Sequence, residues 1–170
     1  MIYLQAPDHI SSNFKSPSVF LAGGISNCPN WQSEVIKLVE HLEDNELTIV
    51  NPRQQDYLFS DVEVARKQIE WEYEYLHKVN CVAFWFPKET ICPITLFELG
   101  YLLGWRSCSA APRVLIGCHP EYSRKFDIEV QVGLREDIQI VNSIEELSRE
   151  IIKFSEQRMR FLQACEAMKR

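Results

Sequence analysis

The sequence predicts a three-layer α/β fold, in which helices cover both faces of one parallel, doubly wound sheet. Short β-rich segments alternate with segments of helical periodicity along most of the chain. The middle β-rich segments are apolar throughout, which is typical of parallel strands buried on both faces. A length of 170 residues is typical of one domain with a full hydrophobic core.

Five strands are predicted where apolar, β-rich residues are bounded by turn residues. The first ends at Gly23-Gly24 and the second at Asn51-Pro52-Arg53, both typical of tight turns. Residues 1–17 are expected to form an irregular arm, in which Ile2–Gln5 could add a short strand. The predicted strands are Ser18–Ala22, Leu47–Val50, Cys81–Phe86, Arg113–Gly117 and Asp137–Val141.

Four helices are predicted from apolar residues that recur at helical spacing. Asn30 is suited to cap the first helix, and Pro93 suits the first turn of the third. Ser143 and Glu146 have the spacing of a capping box at the start of the last. Residues 18–142 are thus the expected domain, and 143–170 its C-terminal helix. The predicted helices are Trp31–Leu42, Asp61–Lys78, Thr95–Trp105 and Ser143–Lys169.

Composition and charge exclude several classes of protein. A net charge of -6 argues against non-specific binding of nucleic acid and favours a small-molecule ligand. The N-terminal residues lack the apolar core of a secretory signal, and no apolar run approaches the ~20 residues of a membrane span. The six cysteines form no C-x-x-C pair, which is typical of reduced thiols. We therefore expect a cytoplasmic protein without a membrane anchor.

Strand order predicts where a ligand would bind. Five alternating strands favour the flavodoxin-like order 2-1-3-4-5, whose ligands bind beyond the carboxyl ends of strands, at the switch point between the first and third. Those two ends carry the segments AGGIS, from Ala22, and FWFPKETICP, from Phe84. The predicted binding site therefore lies between these segments.

Glu98 is a carboxylate within an apolar and aromatic stretch beside that site. Such a group loses hydration unless it is paired, so its pKa is easily perturbed. Thr95 and Tyr101 are one turn away and could donate hydrogen bonds to it. Alternatively, Glu98 interacts with the helix dipole or pairs with Arg53 or Arg106. Gly100 and Gly104 are expected to let this helix pack closely against the sheet.

Other residues near the site leave alternatives open. The Gly23-Gly24 turn could bring backbone N–H groups to a ligand, or simply close a tight turn. Arg53 is either solvated or aimed at the pocket. Among the acidic residues of the second helix, Glu72 lies on a different face from Glu70 and Glu74. Most such runs are solvated, but Trp71 and Tyr75 are large for an exposed surface, so one acidic side chain could face the pocket. Cys92 is a conceivable thiol nucleophile.

The sequence carries no fingerprint of a cofactor or a metal site. Both common nucleotide-binding glycine motifs are absent, and so is the serine elbow of hydrolases. The four histidines have no metal-ligand spacing with each other or with the cysteines. We expect neither a cofactor nor a metal.

Four motifs in order, VFLAGGIS, NPR, QIEWEYEYLHKVNCVAFWFP and LFELG, resemble the nucleoside 2-deoxyribosyltransferase-like superfamily, in particular the branch with a W-E helix and an F-W-F-P strand end. HPEYSRKFDIEVQ resembles the segment that follows, so the likeness covers residues 18–142. It implies cleavage of the N-glycosidic bond of a nucleoside or nucleotide, by transfer or hydrolysis. It also implies that Glu98 is the nucleophile and Glu72 the acid, and that the turn Ala22–Ile25 lines the sugar or phosphate pocket.

One departure from the family's pattern is in the loop before Glu98. Transferases carry an aspartate there, whereas this chain has Cys92 near the expected position. A catalytically silent nucleotide-binding module is therefore the alternative. A homo-oligomer is expected, because the last helix has broad apolar faces that include Leu147, Ile151, Phe154, Phe161 and Leu162, and because the family builds sites at subunit contacts. The residues expected to bind substrate beside Glu72 and Glu98 are Ala22, Gly23, Gly24, Ile25, Arg53, Trp85, Pro87 and Cys92.

Overall fold

A computed structural model of the chain describes residues 1–9, 14, 17–40, 47–54, 61–105, 110–135 and 138–169. These form a three-layer α/β fold with one parallel sheet, as the sequence predicts. The strands are β1 Ile2–Gln5, β2 Ser18–Gly23, β3 Thr48–Asn51, β4 Cys81–Phe86, β5 Arg113–Cys118 and β6 Ile140–Val141. The helices are α1 Trp31–Glu40, α2 Val62–Lys78, α3 Pro93–Trp105, α4 Lys125–Gly133 and α5 Ile144–Ala167.

The sheet has six strands in the order β1-β3-β2-β4-β5-β6, all parallel to their neighbours. The last five follow the predicted flavodoxin-like order. The sixth strand is β1, which pairs with β3 from Ile2↔Thr48 to Gln5↔Asn51. The prediction of five strands was therefore wrong by one, because the segment Ile2–Gln5 extends the sheet at its edge.

Residues of each strand alternate between the two faces of the sheet, and each face has its own core. On one face Phe84 and Phe86 pack with apolar residues of α2, α3 and α4. On the other face Leu21 and Trp85 pack with apolar residues of α1 and α5. Because α2 runs into β4 and α3 leaves it on the same face, the sheet fixes these two helices beside each other.

The observed helix ends agree with the predicted capping residues. The Asn30 side chain accepts from Ser33 N–H (3.1 Å), and Ser143 Oγ accepts from Glu146 N–H (3.2 Å). Asp61, predicted as the first residue of the second helix, is its N-cap instead, and accepts from two backbone N–H groups. The predicted end of the first helix, Leu42, lies outside the described residues.

The sequence did not predict α4. Its buried residues Ile128 and Val132 lie one turn apart, but Phe126 and Val130 are exposed, so its apolar periodicity is weak. The last strand is shorter than predicted: β6 begins at Ile140, and the segment's predicted start at residue 137 lies outside the described residues.

One expectation about helix packing was wrong, and a second holds for only part of the last helix. Gly100 and Gly104 are exposed, and a Cβ at either would meet nothing within 4 Å, so they do not bring α3 closer to the sheet. In α5 the apolar residues Leu147, Ile151 and Phe154 belong to the core. These three are therefore covered within the subunit, whereas Phe161 is exposed and Leu162 is half-buried. None of the described helices is both long and apolar enough to cross a membrane.

Candidate active site

A cavity of about 640 Å³ lies at the carboxyl ends of β2 and β4, between α2 and α3. This is the switch point of the sheet, where the strand order predicts a ligand. Most of its wall is apolar. Seven of the ten residues that the sequence singles out for the site line it: Ala22, Gly23, Gly24, Ile25, Glu72, Cys92 and Glu98.

The other three residues lie elsewhere. Trp85 was expected to line the pocket, but it lies on the opposite face of the sheet, 4% exposed in the core with α1 and α5. The alternation of side chains along β4 turns its neighbours Phe84 and Phe86 toward the cavity's side instead. Pro87 is buried behind the glycine turn, with its Cγ 2.9 Å from where a Cβ on Gly24 would be.

Arg53 holds the glycine turn to the start of α1 and does not line the cavity. Its Nε donates to Gln32 Oε1 (2.9 Å), and its Nη2 donates to the Pro29 carbonyl (3.0 Å) and, more weakly, to the Gly24 carbonyl (3.4 Å). Arg53 is half-buried, and it is absent from the described wall of the cavity. It stabilises the loop that forms one wall of the cavity.

The two glycines of the turn are required for close packing rather than for backbone freedom, since neither has a positive φ. A Cβ at Gly23 would lie 2.5 Å from both Trp31 Cζ2 and the Trp85 carbonyl oxygen. A Cβ at Gly24 would lie 3.0 Å from the sulfurs of both Cys28 and Cys92. The Gly24 carbonyl accepts from Trp31 Nε1–H (2.9 Å), which ties the turn to α1.

Glu98 faces the cavity from α3. Among the described residues, no hydrogen bond or ion pair reaches its carboxyl group. Arg53 is engaged elsewhere and Arg106 lies outside the described part of the chain. Neither Thr95 nor Tyr101 donates to it, contrary to expectation. The Tyr101 hydroxyl bonds to His77 instead. Burial, and then the charge of Glu72, raise the pKa of Glu98 to about 8.

Glu72 faces the same cavity from α2. Gln68 Nε2 donates to its Oε1 (2.7 Å). Burial raises the pKa of Glu72, and the hydrogen bond from Gln68 opposes that rise. Two carboxyl groups thus approach each other in a largely apolar space, and this makes it costly for both to be ionised at once.

The Cys92 thiol is unsuited to act as a nucleophile. Burial, together with the nearby Cys28, raises its pKa to about 12, so the thiolate form is suppressed at neutral pH. Its Sγ–H donates weakly to the Thr90 carbonyl (3.5 Å). Its φ of 51° lies in the left-handed region, which marks a sharp turn into α3.

Sequence reasoning missed two polar pairs in the cavity wall. His77 Nδ1–H donates to the Tyr73 carbonyl (2.6 Å), so Nε2 is free to accept from the Tyr101 hydroxyl (2.8 Å). Deeper in the cavity, Gln54 Nε2 donates to Gln68 Oε1. His77 and Tyr101 lie 24 positions apart, and Gln54 and Gln68 lie 14 apart, so no local pattern could have indicated these two pairs.

Comparison with known families agrees with the motifs. The profile of the family described as "Nucleoside 2-deoxyribosyltransferase like" matches residues 16–122. The matched segment is more than half of the 170-residue chain and includes the glycine turn, Glu72 and Glu98. No curated protein matches the chain.

The raised pKa of Glu98 predicts a pH-dependent stability. The pKa of Glu98 is about 8 in the folded protein and takes its ordinary value of 4.5 in the unfolded chain, so the folded protein binds the carboxyl proton of Glu98 more tightly. The stabilisation is complete below pH 4.5 and is lost as pH rises through 8. From pH 6 to pH 9 the wild type should lose about 2 kcal/mol more free energy of unfolding than Glu98→Gln, whose amide needs no proton.

Urea denaturation at the two pH values measures this difference. Glu70→Gln is the matched control, because Glu70 is an exposed carboxylate on the same helix as Glu72. It should keep the pH dependence of the wild type. If the wild type and Glu98→Gln lost the same free energy of unfolding between the two pH values, the assignment of the raised pKa to Glu98 would be contradicted.

Proposed function

Because the chain belongs to the nucleoside 2-deoxyribosyltransferase-like family, we propose that it cleaves the N-glycosidic bond of a nucleoside or nucleotide, with Glu98 as nucleophile and Glu72 as acid and base. Membership of the family indicates glycosyl transfer on nucleosides. The observation that carries the finer proposal is the pair of carboxyl groups that faces one apolar cavity from α2 and α3.

The reaction needs two carboxyl groups in different protonation states. The ionised Glu98 attacks the anomeric carbon, the C–N bond breaks, and its electron pair leaves with the base. Glu72 donates its proton to that base. In the second step water or another base attacks the glycosyl ester of Glu98, and Glu72 takes up the proton. Net charge and protons then balance over the cycle.

The electrostatics of the cavity favour the number of protons that this reaction needs. Burial and mutual repulsion favour one proton on the pair at neutral pH, and the cycle uses one. Before substrate binds, the proton belongs on Glu98, which has no hydrogen-bond donor among the described residues. When substrate binds, this proton passes from Glu98 to Glu72, because the carboxylate of Glu98 attacks and Glu72 gives the proton to the leaving base.

A catalytically silent nucleotide-binding module is the second candidate. Two observations favour it: Glu98 has no described donor to hold it as a carboxylate, and the loop acid of the transferases is absent. The Cys92 thiol cannot replace that acid as an ionised group, since its pKa is raised to about 12. This candidate predicts ligand binding without release of base.

Incubation with a panel of nucleosides and nucleotides separates the two candidates. Chromatography should detect free or exchanged base with the wild type. Glu98→Gln should lower turnover roughly 10³-fold, about 4 kcal/mol of barrier, because it keeps the shape and removes the charged nucleophile. Glu70→Gln, the exposed control, should keep the wild-type rate.

Two outcomes would overturn the proposal. Turnover by Glu98→Gln near that of the wild type would show that another group attacks. Binding of nucleosides without turnover by the wild type on any member of the panel would favour the silent module.

We propose that the functional form is a homo-oligomer, in which a second copy covers the mouth of the cavity. Large apolar side chains in the cavity wall are exposed on α2 and α3: Ile69 and Ile94 each 64%, Phe97 76%. An isolated subunit rarely leaves such a continuous apolar patch open to water. Covering it would also exclude water from the reacting atoms, which favours transfer to a second base over hydrolysis.

Light scattering at micromolar concentration tests this proposal. The wild type should have at least the mass of a dimer, and Phe97→Asp should shift the mass toward that of a monomer, because a charge cannot be buried in an apolar contact. Phe126→Asp is a matched control, since Phe126 on α4 is equally exposed at 76% and is not part of the cavity wall. A monomeric wild type, or equal effects of both variants, would count against the proposed surface.

A further inference from the structure

Gln68 is a buried polar residue one helical turn before Glu72, and it is only 7% exposed. Its Nε2 donates to two acceptors, the Pro52 carbonyl (2.9 Å) and Glu72 Oε1 (2.7 Å). Its Oε1 accepts from Gln54 Nε2. Both N–H groups and the oxygen of this amide are therefore engaged.

These partners fix the orientation of the amide. If its oxygen and nitrogen were exchanged, the oxygen would face the Pro52 carbonyl, which can only accept a hydrogen bond. The amide therefore presents an N–H to Glu72, and an N–H stabilises the carboxylate over the carboxylic acid at that oxygen. Since Gln68 is buried, water cannot easily replace this donor.

We propose that Gln68 is a positioning residue that decides which of the two carboxyl groups carries their shared proton, holding Glu72 as a carboxylate and leaving the proton on Glu98. The placement of the proton on Glu98 rather than Glu72 is a property of the protein before substrate binds. Its catalytic consequence rests on the proposed function: Gln68 stabilises the charge that Glu72 acquires when it gives a proton to the leaving base.

No other described group in the cavity wall hydrogen-bonds to Glu72 or Glu98, so Gln68 is the residue that determines which of them carries the proton. The titratable groups that line the cavity beside Glu72 are Glu98 and Tyr101 from α3, Tyr73 and His77 from α2, and Cys92 from the loop before α3. The strand residues in the wall carry no titratable group, and no lysine or arginine lines it within the described part of the chain. Among the described residues, Gln68 supplies the one side-chain hydrogen bond to either carboxyl.

Carbon-13 NMR of glutamate side-chain carboxyl groups tests the placement of the proton. Glu72→Gln and Glu98→Gln assign the two signals. In the wild type Glu72 should titrate below Glu98, with the two steps coupled. Gln68→Met keeps the side-chain volume but removes the donor, and should narrow the gap between the two midpoints by about one pH unit or more.

Gln54→Met is the matched control, because Gln54 belongs to the same network without touching Glu72. It should preserve most of the difference between the titration midpoints of Glu72 and Glu98. An unchanged gap in Gln68→Met, or an equal narrowing in both variants, would overturn the proposal.

A measurement on the wild type covers the case in which Gln68→Met fails to fold. One side-chain amide proton of Gln68 should move downfield in step with the ionisation of Glu72. An amide signal that does not change across that titration would also overturn the proposal. Neither measurement needs turnover, so the role of Gln68 can be confirmed in a protein that releases no base. It can equally be refuted in an active enzyme.

Discussion

The fold places two carboxyl groups where water cannot fully solvate both, and the rest of the site follows from this constraint. Glu72 comes from the helix that enters β4, and Glu98 from the helix that leaves it. One central strand therefore fixes the two groups relative to each other. Burial then disfavours a double charge, so the pair retains a proton at neutral pH. A pair of acids in different states is what glycosyl chemistry requires.

The glycine turn and the residues that hold it support that pair without touching it. Arg53 and Trp31 hold the glycine turn against α1, and the turn forms the wall opposite the helices. Close packing at Gly23 and Gly24 leaves no room for a side chain there. Arg53 lies outside the wall, so the described wall has no fixed positive charge that would draw the proton off Glu98. The protonation state is therefore set chiefly by burial and by Gln68.

Much of the fold could be predicted from sequence because its signals are local. Apolar runs and turn residues indicate five strands in the order observed, and capping residues indicate where helices begin. Glu98 is noticed because it is a charged residue within an apolar run. The failures concern information that is not local. The segment Ile2–Gln5 suggested a short strand, but its pairing with β3 was not predicted. Sequence does not show which face of the sheet holds the cavity, so it could not show that Trp85 lies on the other face. The contact of Gln68 with Pro52 joins two segments that only the fold brings together.

The direct test of the central claim is to trap the reaction on Glu98. A 2-fluoro-substituted nucleoside with a good leaving group slows both steps by destabilising the oxocarbenium-like transition state, and this lets a covalent intermediate accumulate. Intact mass spectrometry of the wild type should show one added fluorinated sugar, and peptide mapping should place it on Glu98. Release of the base with the sugar attached to Cys92 or Glu72, or with no covalent intermediate at any time, would contradict the account.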